Sequence, residues 1–431
     1  MKKFSELLSI TFLIQILFFS GAILCYSRFA NAQFSLSAEL RPRLEFRDGY
    51  RTLPTEDSKP AAFVSQRSRL ITSYTAKKFS LKVSLQDVRT WGDEGQTQNV
   101  PSLALHEAYG QVQFSDKSML RIGRQELVYD DERLLGNSSW GQAARSHDAA
   151  LFRFTNSGFS VDAAAAFNQT AQNLEGTYYA LNNYKVLGFV RAGKTVDNKY
   201  KAYGLFITDG FQGTDSTKSM YMRYTYGTTG EYDVHDFVLK GMFYGQSGND
   251  PTNHGISAYM FSLQGYYLVK SFTGGIGVDF LSGNDGTDDA DDKVKVFNTL
   301  YATNHPLYGH IDYFENIAPD TKNGGLMDGY VKLKYSFKKV GAYLDYHYFA
   351  LSGKVADPEN ADEAISSYLG SEIDLWLNYK IIDGLEFRPG FSTMMATESM
   401  DVIKGGNKEL NGMWAYLQLT FNPTIFKSEP K

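Results

Sequence analysis

The sequence predicts an all-β protein, a transmembrane antiparallel β-barrel of about 18 strands (16–18) with short periplasmic turns and long outer loops. Three observations lead there. Apolar and polar residues alternate over unusually long segments, the connections between segments alternate short and long, and an export signal precedes a chain that is otherwise free of cysteine. Composition agrees: 431 residues that are 43% hydrophobic and 15% aromatic, with 11 Pro and 1 Cys, exclude disorder, collagen-like repeats and a disulfide scaffold. The 29 Tyr and 30 Phe suit strands and membrane interfaces. A formal charge of -5, with no basic block anywhere, argues against nucleic acid as a partner.

The chain begins with Lys2 and Lys3, an apolar run from Leu7 to Leu24, and the small-residue site Ala30-Asn31-Ala32. Residues 1–32 therefore read as a secretory signal peptide cleaved before Gln33. The run is long enough to compete as a membrane helix, but the cleavage site opposes that reading. Lipidation of Cys25 is opposed by Leu24, which stands where that processing wants a small residue. Residues 33–422 are then one barrel in the bacterial outer membrane, with 423–431 as a short C-terminal tail.

In the first mature segment Phe34, Leu36, Ala38, Leu40, Pro42, Leu44 and Phe46 alternate with Ser35, Ser37, Glu39, Arg41, Arg43, Glu45 and Arg47. Soluble strands run to about 5–6 residues, whereas tilted outer-membrane strands need about 9–11 in hydrocarbon alone. This segment has the second length. Eight hairpins follow: 63–75 with 79–90, 103–114 with 119–128, 147–154 with 158–167, 184–191 with 200–208, 220–226 with 237–246, 256–269 with 272–280, 326–337 with 340–351, and 369–380 with 385–396. Tight turns such as Lys77-Lys78, Lys270-Ser271 and Lys338-Lys339 close several of them, and long connections such as 48–62, 91–102 and 281–325 separate them. Segments 147–154 and 184–191 alternate only partly. A last strand alternates Met413, Ala415, Leu417, Leu419 and Phe421 with Trp414, Tyr416, Gln418 and Thr420. In hydrocarbon every backbone N–H and C=O must be paired within the protein, so the sheet has to close, first strand against last. The apolar face then meets lipid and the polar face lines a lumen.

Arginine is dense between Arg41 and Arg153 and sparse thereafter, and acidic residues lie among these arginines. Parity places Arg41, Arg43, Arg67 and Arg69 on one side. Two readings stay open: cross-strand ion pairs that brace the wall, or a selectivity region for an anionic solute, for which arginine's bidentate fork is suited. The stretch GRQELVYDDERLLGNSSWGQAARSHDAALFRF, Gly123 to Phe154, resembles the signature segment of the alginate export family of outer-membrane barrels. RPRLEFRDGY from Arg41, LHEAYGQ from Leu105, LYATNHPLYGHIDYF from Leu300 and LGSEIDLWLNY from Leu369 are similar too. The resemblance implies an 18-stranded pore for an anionic exopolysaccharide such as alginate, lined by Arg and Lys with some acidic partners. By motif position it makes Arg41, Arg43, Glu45, Arg67, Arg69, Arg124, Arg133, Arg145 and Asp148 the candidate pore residues. The alternative function is a passive anion-selective porin for small nutrients. Expected partners are an anionic polysaccharide or small anions and outer-membrane lipid, with periplasmic polysaccharide-secretion proteins as a further class.

No HExxH, GxSxG, CxxC or P-loop pattern occurs, and the histidines show no metal-ligand spacing, so neither an enzyme nor a cofactor or metal is expected. His147-Asp148 reads as a structural pair rather than half of a catalytic one. GNDGTDDADD from Gly283 resembles a calcium loop in composition only and reads as a solvated outer loop. Tyr335, Phe337, Tyr346 and Tyr348 read as lipid-facing girdle aromatics. The long connection 281–325 carries NHPLYGHIDYF, aromatic enough that part of it is expected to fold over or into the outer mouth as a gate.

Overall fold

Long alternating segments become long strands. The computed structural model describes residues 32–179, 183–213, 219–288 and 292–429; the leader, apart from Ala32, lies outside the described residues. In chain order the strands are β1 (Gln33–Asp48), β2 (Ala61–Thr75), β3 (Phe79–Thr90), β4 (Ala104–Ser115), β5 (Ser118–Gln125), β6 (His147–Asn156), β7 (Phe159–Phe167), β8 (Val186–Val196), β9 (Tyr200–Gln212) and β10 (Met220–Val234). There follow β11 (Phe237–Asn249), β12 (Gly255–Val269), β13 (Phe272–Leu281), β14 (Leu326–Phe337), β15 (Val340–Ala350), β16 (Tyr368–Ile382), β17 (Leu385–Ala396), β18 (Gly412–Phe421) and β19 (Thr424–Lys427). Two short helices, α1 (Ile317–Asp320) and α2 (Glu398–Lys404), lie in the loops.

Each strand pairs antiparallel with its sequence neighbours, and β1 closes the ring on β18 with Leu40 opposite Phe421, Arg43 opposite Gln418 and Asp48 opposite Met413. The result is the closed 18-stranded antiparallel barrel that the sequence predicts. Beyond Pro423, β19 continues the eighteenth stave by pairing with the start of β1. Among the described residues no helix is long and apolar enough to cross a membrane. The two faces of β1 show the sorting directly: Leu40, Leu44 and Phe46 are 39%, 43% and 40% exposed, whereas Arg41, Arg43 and Glu45 are 6%, 4% and 1% exposed. Tyr335, Phe337, Tyr346 and Tyr348 all face outward and are exposed.

Tight turns, the start of β1 and the end of β19 gather at one rim, and the long loops gather at the other. The third and seventh of these, L3 (residues 126–146) and L7 (residues 282–325), carry Leu127, Leu135, Phe297, Tyr308, Ile311 and Tyr313, all essentially fully buried. These pack in one hydrophobic cluster with the inner-wall residues Leu151, Leu187, Phe189, Ile207, Met260 and Trp414. At these positions the inner face is apolar because a loop packs on it. That explains the weak alternation of segments 147–154 and 184–191, whose inward positions Leu151, Leu187 and Phe189 are as apolar as their outward ones. It also ends β5 at Gln125, short of the expected 128, because Leu127 turns into the lumen, where it is 1% exposed.

Candidate functional site

L3 and L7 meet inside the barrel. Leu135 bridges in parallel to Tyr301, Gly136 N donates to Tyr301 O at 2.8 Å, Tyr301 N to Leu134 O at 3.0 Å, and Thr303 N to Glu132 O at 2.9 Å. L3 reaches this position through turns in which Asp130, Glu132, Ser138 and Ala144 adopt positive φ. A row of ring contacts ties both loops to the wall: Trp140 of L3 stacks at 4.5 Å on His305 of L7, His305 stacks at 4.7 Å on His310, and His310 meets Trp376 on β16 at 4.7 Å in a tilted contact. L7 is further held by Ile311 N donating to Glu372 Oε1 at 2.8 Å, Tyr313 Oη donating to Gly49 O at 2.6 Å, and Lys332 Nζ donating to Pro306 O at 3.0 Å.

The candidate arginines divide by what balances their charge. Arg43 donates to Glu45 at 2.9 Å and to Trp140 O, with its guanidinium 4.1 Å over the Trp140 ring. Arg67 pairs with Glu39 at 2.5 Å. Arg133 is buried between Asp131 and Asp279 and also donates to Tyr308 Oη. These three are braces between wall and loop. Arg41 is buried too, but its donors go to the carbonyls of Ser139, Trp140 and Gly141 and to Gln142 Oε1, with no carboxylate within ion-pair distance among the described residues. Among the described residues Arg145 likewise donates only to the carbonyls of Gly136, Tyr301 and Ala302. Arg69 donates to Gln86 Oε1 at 2.9 Å, and its Nη2 has no partner among the described residues.

Arg124 and Asp148 stand apart from the rest. They pair across β5 and β6 at 3.0 Å with side chains 42% and 62% exposed, and they share the parity of the outward Ile122 and Phe152. The structure therefore places this pair on the outer wall near the loop rim, not beside the lumen. His147, its neighbour, points inward and bonds the Tyr184 hydroxyl at 2.9 Å, so His147 and Asp148 lie on opposite sides of the wall.

The sequence did not single out Gln142, Trp140, His310, Trp376 or Glu372, all of which hold the loops in place. Their signal was present in the quoted motifs, but only tertiary contact shows that they converge. Burial drives the His310 imidazole down to about 3, and the neighbouring His305, Lys332 and His347 add to this against the opposing pull of Asp374. Burial raises the Asp312 carboxyl, yet His305, Tyr50 and Arg51 more than offset it and keep it ionised. Towards the turn rim the inner wall opens into a cavity of about 710 Å³ lined by Lys334, Ser336, Tyr343, Asn378 and Lys380 among others. Lys334 lies 5.5 Å over the Tyr343 ring and forms no ion pair among the described residues.

A family model described as alginate export matches residues 32–392. No curated protein sequence matches the chain. Among solved structures, OccAB4 of Acinetobacter baumannii is similar with a TM-score of 0.62 at 14% identity, the match covering 91% of this chain and 98% of OccAB4. OccAB1 of the same organism gives 0.63 at 11% identity over 91% and 97%. OpdK of Pseudomonas aeruginosa, solved with vanillate, gives 0.58 at 11% identity over 90% and 98%. At such identities the likeness is one of fold, that of an outer-membrane porin barrel.

Proposed function

The chain belongs to the alginate export family, and from that premise we propose that this outer-membrane pore passes an anionic exopolysaccharide of the alginate type out of the periplasm. Family and fold are both of pore type rather than enzyme type. The observation that carries the reading is the uneven charge balance at the constriction. Arg41, Arg69 and Arg145 have no carboxylate within ion-pair distance among the described residues, whereas Arg43, Arg67 and Arg133 are neutralised. Between the low-dielectric walls of a narrowed, water-filled lumen an unneutralised guanidinium acts over several ångströms and favours a passing carboxylate without having to bind it directly. A polyuronate presents one carboxylate per sugar, so it meets such a field repeatedly along its length.

A passive porin for small organic anions is the second reading. What favours it is the narrowing of the lumen by L3 and L7, together with the fold shared with OpdK, which was solved with the small acid vanillate. Proteoliposomes loaded with uronate oligomers of graded length separate the two. Export of a polymer requires release of long oligomers as well as short ones. Release of monomeric acids alone, with long oligomers fully retained, would establish the small-anion porin instead. A neighbouring polysaccharide synthase gene is the cheapest supporting observation.

A further inference from the structure

A β-bulge between β3 and β4 turns two consecutive residues toward the lumen. Ser84 pairs with Glu107 and Leu85 with Leu105, leaving His106 as the extra residue, and both His106 and Glu107 are buried. Glu126, the first residue of L3, comes to the same point, with its Oε1 2.7 Å from His106 Nε2. Donor atoms of His106, Glu107 and Glu126 all lie within 4.8 Å of one another. A second feature points to a missing ligand. Ser84, directly across the ladder from Glu107 and 1% exposed, has a hydroxyl without a hydrogen-bond partner among the described residues. A buried polar group left in that state is destabilising.

We propose that His106, Glu107 and Glu126 bind one divalent cation of the zinc class, with the Ser84 hydroxyl or a water completing the shell. One imidazole, two carboxylates and one open position form a four-coordinate donor set suited to Zn²⁺, while Ca²⁺ asks for about six to eight oxygens. Asn137 Nδ2 donates to Glu126 Oε2 at 2.8 Å and orients that carboxylate from the outer shell. A cavity of about 250 Å³ with Glu107 and Glu126 in its wall gives the ion access from the lumen. Lys82 pairs with Glu107 and has to give way, which its 32% exposed side chain allows. Lys82 and Arg69 both oppose the incoming charge, so the affinity is lower than that of a closed structural site. Bound metal fastens the root of L3 to β4. The site is independent of which solute the pore carries.

The test is calorimetric titration of Zn²⁺ into the purified full chain in detergent after removal of metal with a chelator. The expected result is one Zn²⁺ per chain, weakened at least about tenfold in Glu126→Gln and in His106→Ala and several-fold in Ser84→Ala, with no equivalent Ca²⁺ binding. Heat-modifiable gel migration confirms that each variant is folded. Glu126 lies in a loop outside the strand ladder, so its variant decides the question even where His106→Ala fails to fold. Absence of stoichiometric Zn²⁺ binding, or binding unchanged in folded Glu126→Gln, overturns the proposal.

Discussion

Replacing Arg133 with Gln tests whether the buried arginines hold the loops in the lumen. The Arg133 side chain is 3% exposed and that of Asp279 is 0% exposed; Arg133 bonds Asp279 Oδ2, and Oδ1 has no hydrogen-bond partner among the described residues. Removing one member of such a pair strands the other, at a cost of about 3–5 kcal/mol. Asp131 lessens this little, being 27% exposed, whereas a glutamine amide still donates one bond, so the lower end applies. The cost falls on docking of L3 rather than on the strand ladder, in which Arg133 takes no part. About 3 kcal/mol shifts the docked-to-undocked ratio roughly a hundredfold. Single-channel recording should then show larger and noisier conductance from a barrel that still migrates heat-modifiably. Adding Asp279→Asn should quiet the channel again by removing the stranded charge. Unchanged conductance and melting in Arg133→Gln, or a double variant no quieter than the single one, would refute the brace.

Gly309 sits at φ +87 with the Glu372 carboxyl carbon 2.7 Å from where a Cβ would be, so Gly309→Ala should loosen L7 by about 1–3 kcal/mol and raise open-channel noise. Acid should have a related effect through His310, which faces Asp374, His305, Lys332 and His347 and is held near 3 against an ordinary 6.5. Because the docked state keeps the imidazole neutral, L7 docking is undisturbed above about 6.5 and weakens as pH falls from there toward about 3. Conductance recorded at stepped pH should rise over that window and do so less in His310→Gln. Trimming residues 287–292 should leave folding and conductance intact, whereas a deletion that takes in Asn284, whose Oδ1 accepts from Lys295 N at 2.8 Å and Val296 N at 3.0 Å, should disturb L7.

The barrel was legible because lipid imposes a strict rule on outward positions, and β1 obeys it without exception from Phe34 to Phe46. The lumenal side follows no such rule. Leu187 and Phe189 are inward yet apolar because L3 covers them, Tyr129 meeting Phe189 at 5.0 Å, and no local pattern signals a covering loop. Arginine content likewise showed where charge accumulates but not what it faces. Arg124 and Arg121 are three residues apart on β5, and parity sends the first outward to Asp148 and the second inward to Gln111. Whether a guanidinium braces or attracts depends on carboxylates far away in sequence, as with Arg133 and Asp279, and only the closed fold brings those together. The pairing of Glu126 with His106 escaped a reading by spacing for the same reason, since it needs both the bulge in β4 and the entry of L3 into the lumen.

The reversal potential across a planar bilayer tests the anionic pathway most directly. At 0.1 M salt, where the Debye length is about 10 Å, the pore should prefer anions, and the preference should shrink at 1 M, where that length is about 3 Å. Gln at Arg41, Arg69 or Arg145 should reduce the preference stepwise, and Gln at the outward-facing Arg124 should leave it alone. Cation preference at low salt, or a selectivity indifferent to all four substitutions, would contradict an anion pathway through this constriction.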